Sequence, residues 1–261
     1  SINFLVSKKT QNIPYGQNNL FQHSVNVYNK LRRWDCNEDV CFAGLFYNIY
    51  KSGKDKNIIK NIIGINSENL IKNNNMKILF ANKVAKIYIE VIDDYFDDHD
   101  IFKNYIYFRD HAPWTFTGAG KDKAKWRNFK YKLNFKNKIE KYLKKHSQEI
   151  LKNLGIFNFL KLERVYASAN PYGTVHEPHK DYDPNLKGGI TIMYYLNNTW
   201  NLKYAGETVF FNDGEIFKSI IPKPGRVVVF DGSIEHCARD VRRDVNDLRM
   251  VLTFKHNINI E

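Results

Sequence analysis

Cysteine is scarce: Cys36, Cys41 and Cys237 are an odd set with no metal-type spacing. They imply no disulfide framework and read as buried or incidental thiols of a reducing compartment. Long apolar runs are missing too. None approaches the roughly 20 residues that a membrane-spanning helix needs, so no membrane partner is expected. The opening stretch "SINFLVSKKTQN" lacks the apolar segment and small-residue cleavage site of a secretory signal, and a cytoplasmic location is the expectation. There is no internal repeat or low-complexity tail. Acidic residues are in deficit, 28 against 40 lysines and arginines, for a net charge of +12. Such an excess raises the question of nucleic acid. However, the lysines are spread among asparagines and isoleucines, as in "NLIKNNNMKILFANK", which an A/T-rich coding bias would also produce, and a solvated basic surface is the favoured reading.

What is present suffices for a sizeable core: 43% of the 261 residues are apolar and 15% aromatic. In "NLFQHSVNVYNKLRRW", Phe21, Val25, Tyr28 and Leu31 share one stripe, and "NEDVCFAGLFYNIYKSG" follows with an Asn37 cap and an acidic first turn, giving a helical hairpin. "KDKNIIKNIIG" and "SENLIKNNN" continue as helices, with Gly64 as a stop and Ser67 as a cap, so residues 1 to about 77 are expected to be all-helical. The period then changes. "KIYIEVIDDYF" alternates as a strand and "DDHDIFKNYIYFRD" returns to helix. The predicted domains are therefore 1–80, helical, and 81–261. The stretch from Lys121 to Gly155 is expected to form one long basic amphipathic helix, continuous or broken. Beyond it, short strands separated by Gly, Pro, Asn and Asp predict a sandwich or barrel with Greek-key or jelly-roll connections, and thus an α+β chain.

The chemistry concentrates in "PYGTVHEPHKDYDP". On an extended strand, residues two apart share a face, so His179 and Asp181 can converge on one point while Lys180 faces away. A third ligand is available in "FDGSIEHCARD", where His236 lies at the end of an apolar strand. Two histidines and a carboxylate on one face leave open positions opposite, as in non-haem Fe(II) oxygenases. Arg249 then interrupts the apolar "LRMVLTF", and an arginine there calls for a carboxylate held at two points, from a structural ion pair or from a cosubstrate.

With "HKD" followed in order by "YYLNNTW", "AGETVFF", "PKPGRVVVFDG", "EHCARDV" and "RMVLTF", residues from about 85 to 258 resemble the Fe(II)/2-oxoglutarate-dependent dioxygenases of the prolyl 4-hydroxylase-like and prolyl-hydroxylase-domain branch. The resemblance implies a double-stranded β-helix, or jelly roll, with flanking helices. It implies iron on His179, Asp181 and His236, with Arg249 and Thr253 on the distal carboxylate of 2-oxoglutarate. It also places Tyr195 and Tyr166 in the cosubstrate pocket, with O2 as co-reactant and ascorbate as a further candidate. Two departures stand out: Ala205-Gly206 replaces the usual Gly-Gly, and the segment between His236 and Arg249 is long. His176 is read as a substrate-facing or structural residue, Asp183 as a turn residue before Pro184, and Arg243 as part of a charged loop. "HEPH" has the wrong spacing for a zinc peptidase. A prolyl or other protein side chain is the first substrate expectation. The alternatives are a nucleic-acid or nucleotide oxygenase, motivated by the charge and the basic segment Lys121 to Lys145, and a binding module with a vestigial site.

The first 70 residues or so resemble small helical domains of HD-phosphohydrolase character, in which a histidine usually follows "AGLF". Here that position is Tyr47, which leaves His23 without its companion. The resemblance therefore implies a structural or substrate-recruiting module over a second catalytic centre.

Overall fold

The computed structural model describes residues 2–15, 18–33, 36–53, 55–73, 78, 89–117, 128–174, 176–182 and 189–258. The N-terminal part contains α1 (Ile2–Ser7), a small hairpin of β1 (Pro14–Tyr15) and β2 (Asn18–Asn19), α2 (Leu20–Arg33), α3 (Glu38–Lys51) and α4 (Lys56–Lys72). The α3 start follows its sequence: Val40 N donates to Asn37 Oδ1 at 3.0 Å, and Glu38 and Asp39 occupy the first turn. Gly44 lets α2 approach α3, since a Cβ there would lie 2.2 Å from Leu31 Cδ1. Val27, Leu31, Phe46, Ile59 and Ile71 form the core between these helices.

Two expectations are corrected here. The segment is not wholly helical, because the β1–β2 hairpin precedes α2. Gly64 does break the helix as expected: at φ 78° and ψ 170° it is non-helical, and α4 is two helical segments that meet at a kink there. Ser67 is no cap: it lies inside α4 and its hydroxyl donates to Asp39 Oδ1 at 3.0 Å, tying α4 to α3. The expected boundary near residue 80 lies outside the described residues.

The remainder comprises β3 (Ile89–Ile92), α5 (Asp98–Ile106) running into a π-type turn (Tyr107–His111), β4 (Thr115–Phe116), β5 (Phe129–Lys132), α6 (Lys138–Asn153), β6 (Leu160–Asn170), β7 (Gly189–Tyr195), β8 (Thr208–Asn212), β9 (Glu215–Ile220), β10 (Val227–Asp231), β11 (Glu235–Ala238) and β12 (Arg249–Ile258). A seven-stranded sheet has the order β3-β10-β7-β12-β6-β5-β4 and a three-stranded sheet the order β11-β8-β9, with antiparallel pairing throughout. This is the jelly-roll arrangement with flanking helices.

Strand alternation sorts the large sheet into two faces. Ile190, Ile192, Tyr194, Leu252 and Phe254 pack in one cluster with Leu143, Ile150 and Leu151 of α6. Met193, Tyr195, Val228, Phe230 and Val251 point the other way, into a second cluster with Phe210 and Ile220 of the small sheet.

The long basic helix is also corrected. Residues 121–127 lie outside the described ones; among the described residues of the stretch, 129–132 are strand β5 and the helix is confined to Lys138–Asn153. The reason is local. "FKYKL" alternates with a period of two, and Asn137 starts a new helix by accepting from Glu140 N at 2.8 Å. Glu140 is fully buried and holds that corner together, accepting from Phe135 N at 2.6 Å, from Tyr107 at 2.6 Å and from Tyr131. Burial pushes its carboxyl up, but these bonds outweigh it and hold it below the ordinary range.

Candidate metal centre

His179, Asp181 and His236 come together: one ligand atom from each lies within 4.8 Å of the others. The route differs from the expected strand. "HKD" is not extended throughout. His179 makes a single bridge with His236, with His179 N donating to His236 O at 3.0 Å and His236 N to His179 O at 2.9 Å, while Asp181 sits in a bend. His236 belongs to the short strand β11, paired with β8, rather than to the end of β10. Asp181 is fixed through its backbone, donating from N to Gly232 O at 2.9 Å. Tyr182 follows it and lies over two glycines, where a Cβ on Gly189 or Gly232 would come within 2.4 Å of the ring.

The side chains are set for a cation. His179 Nδ1 donates to Glu177 O at 3.1 Å and His236 Nδ1 to Ile234 O at 2.9 Å, which fixes both tautomers and turns both Nε2 atoms toward Asp181. Each Nε2 lies 3.7 Å from a different oxygen of that carboxylate. Two imidazoles and one carboxylate at this spacing fit a divalent ion with bonds of about 2.0–2.2 Å after slight contraction. Thr191 donates to Asp181 Oδ2 at 2.6 Å, and Lys255 forms an ion pair with Oδ1. Burial pushes the Asp181 carboxyl up, while His236, Lys255 and Thr191 outweigh it and hold it low. Burial draws the His236 imidazole down, favouring the neutral form a metal requires.

The triad opens on a cavity of about 120 Å³, whose wall includes Tyr166, His176, Thr208, Arg249, Val251 and Thr253. Arg249 is 2% exposed. Its Nε donates to Gly206 O at 2.5 Å and its Nη2 to Thr208 Oγ1 at 2.8 Å, and among the described residues no carboxylate reaches ion-pair distance of it. Burial draws its pKa below the ordinary value, yet a guanidinium stays charged. A buried cation in this state fits an incoming carboxylate.

Of the residues expected beside it, Thr253 and Tyr166 line the cavity. Tyr195 does not: it stands behind Arg249, with the guanidinium carbon 5.4 Å from its ring centroid and its hydroxyl 2.9 Å from Thr208 Oγ1. His176 lines the wall without joining the triad, and burial, with Arg249 and His179 nearby, pushes its pKa down to about 3. Arg243 is exposed in its loop, and Asp183 lies outside the described residues. Ala205 adopts φ 58°, a conformation suited to the glycine it replaces. Sequence reasoning missed Thr191, Lys130 and Lys255, whose presence at the site depends on strand register.

In the N-terminal part, His23 is buried against Tyr15, with ring centroids 4.5 Å apart, and Tyr47 is half-buried. Among the described residues the triad is the one group with metal-binding geometry.

Comparisons with known proteins agree with this geometry. Residues 166–254 match the family model of the 2OG-Fe(II) oxygenase superfamily, and residues 4–74 match that of a domain of unknown function, DUF6817, which assigns the HD-like resemblance no activity. No curated protein matches the chain. Solved structures share the fold. A prolyl hydroxylase from Trichoplax adhaerens, in complex with a hypoxia inducible factor oxygen degradation domain peptide fragment, is 14% identical with a TM-score of 0.55, over 73% of this chain and 92% of that one. A Pseudomonas putida prolyl-4-hydroxylase is 15% identical with a TM-score of 0.53, over 69% and 97%. An oxidoreductase of the 2OG-Fe(II) oxygenase family from Burkholderia pseudomallei is 16% identical with a TM-score of 0.52, over 68% and 90%.

Proposed function

We infer, from a C-terminal domain that belongs to the 2OG-Fe(II) oxygenase superfamily over residues 166–254, that this 2-oxoglutarate-dependent dioxygenase hydroxylates a C–H bond of a protein side chain, proline first, releasing succinate and CO2. One observation carries the reading: a His-Asp-His triad and a buried arginine without a carboxylate partner among the described residues share one cavity. When bound, iron and 2-oxoglutarate supply the oxidation, in which one atom of O2 enters the substrate as hydroxyl and the other enters succinate as CO2 departs.

The chain's own part is binding and orientation. His179, Asp181 and His236 would hold Fe(II), with Thr191 fixing one oxygen of Asp181. Arg249 would take the distal carboxylate of 2-oxoglutarate, with Thr253 beside it. Met193, Phe230 and Val251 give the cavity an apolar lining that keeps water from the reacting centre. A peptide substrate is supported by the similarly folded, peptide-bound hydroxylase and by the His179 side chain, which is 37% exposed and leaves one side of the triad open.

The test incubates the protein with Fe(II), 2-oxoglutarate and proline-containing peptides. Succinate and a peptide gaining one oxygen are expected, and Asp181→Ala should abolish both together with stoichiometric Fe(II) binding. Oxygen transfer to oligonucleotides and not to peptides would overturn the substrate assignment.

A further inference from the structure

Alternation places Arg249, Val251, Thr253 and Lys255 of β12 on the cavity side, next to Arg164, Tyr166, Ser168 and Asn170 of β6. In that register Arg164 stands directly opposite Lys255. Like charges so opposed weaken an antiparallel pair, and among the described residues no carboxylate lies within ion-pair distance of Arg164. A third cation joins them from β5. Lys130 Nζ, Arg164 Cζ and Lys255 Nζ lie 5.9, 5.4 and 5.5 Å from the centroid of the Tyr166 ring. Lys255 is 4% exposed, and its carboxylate partner is Asp181, the residue that iron would engage. Lys130 and Tyr166 line the same cavity as the triad.

We propose that Lys130, Arg164 and Lys255 form a subsite for an acidic side chain, so that the peptide residue to be oxidised lies beside an aspartate or glutamate. This rests on the peptide-oxygenase reading above. The cosubstrate does not meet the need: Arg249 and Lys255 are six residues apart on one strand, about 20 Å at roughly 3.3 Å per residue, so the carboxylate held by Arg249 is out of reach of Lys255, and a carboxylate held at the triad leaves Arg164, which is exposed and outside the cavity wall, without a partner. A nucleic acid fits less well. Strands of bases bind by stacking on open aromatic faces, and Tyr166, the aromatic ring at this subsite, is packed by the three cations. A carboxylate, in contrast, removes the opposed-charge conflict.

Binding is measured by fluorescence anisotropy on protein loaded with Fe(II) and 2-oxoglutarate without oxygen, at physiological salt. The probes are two labelled proline-containing peptide pools, one with Asp or Glu flanking proline and one with Asn or Gln. The acidic pool is expected to bind at least tenfold tighter. That margin should fall below threefold in the Lys130→Gln/Arg164→Gln double variant, and Lys255→Gln, read in the same way, keeps the test open if the double variant does not fold. Removing the same charge elsewhere, in Lys141→Gln/Lys145→Gln on α6, should preserve it. Equal affinities, no binding of either pool, a margin that survives the substitutions, or displacement of the acidic pool by an equimolar oligonucleotide would each overturn the proposal. Succinate formation in the same preparations under air reports separately whether the oxygenase reading stands.

Discussion

Arg249 is the residue on which the cosubstrate assignment depends, because its guanidinium is buried and its fixed partners are the Gly206 carbonyl and the Thr208 hydroxyl. Leaving a buried carboxylate unpaired costs on the order of 3–5 kcal/mol, so Arg249→Ala should weaken 2-oxoglutarate binding by about a hundredfold or more. Calorimetry under anaerobic conditions reads it, and Fe(II) affinity should be largely kept. Arg243→Ala, altering an exposed loop, should change little. His256 offers a second test, on stability. It is 3% exposed, and burial pushes its imidazole from 6.5 down to about 4. Between those values the unfolded chain holds more protons than the folded one, so stability falls as pH drops through this window. From pH 7 to pH 5 the loss is roughly 2 kcal/mol at about 1.4 kcal/mol per pH unit. In urea titrations of the metal-free protein, His256→Leu should flatten the slope by about that amount.

Among elements, the bend carrying Asp181 is held by an aromatic ring seated on glycine. A methyl group at Gly232 would meet Tyr182 at 2.4 Å and push out the ring next to the ligand. Gly232→Ala is expected to cost about 1–3 kcal/mol of stability and to lower Fe(II) affinity about tenfold or more, as loss of a ligand's support does; competition with a chelator measures the latter. This element also shows what the sequence could and could not disclose. The order of ligand residues and the alternation in "GITIMYY" and "RMVLTF" made the strands, the triad and Arg249 legible. "HKD" was not legible as a bend, because its geometry comes from Gly232 and His236, more than fifty residues away. Strand β5 was hidden by its lysines, which let "FKYK" pass for the exposed face of a basic helix. The cluster of Lys130, Arg164 and Lys255 needed the pairing of three strands, which no local pattern contains.

Across the whole molecule, one ion pair among the described residues joins the helical part to the jelly roll. Lys30 of α2 contacts the buried Asp231 at the end of β10, and Asp231 Oδ1 also accepts from Ser233 N at 3.0 Å, shaping the turn whose Gly232 carbonyl holds Asp181. Burial pushes the Asp231 carboxyl up, and Lys30 leads the contacts that hold it low. A chain beginning at residue 81 would leave that carboxylate without its lysine, at a cost of about 3–5 kcal/mol if it stays buried. The shortened chain should therefore unfold at lower urea than the full chain, and Asp231→Asn should restore part of the difference in the shortened chain while destabilising the full one. The pair also spans 201 positions of sequence. A ribosome delivers α2 long before β10, and domains made first fold first. The late-arriving carboxylate then meets a lysine already in place, so the turn that holds Asp181 closes against a helix made 201 positions earlier.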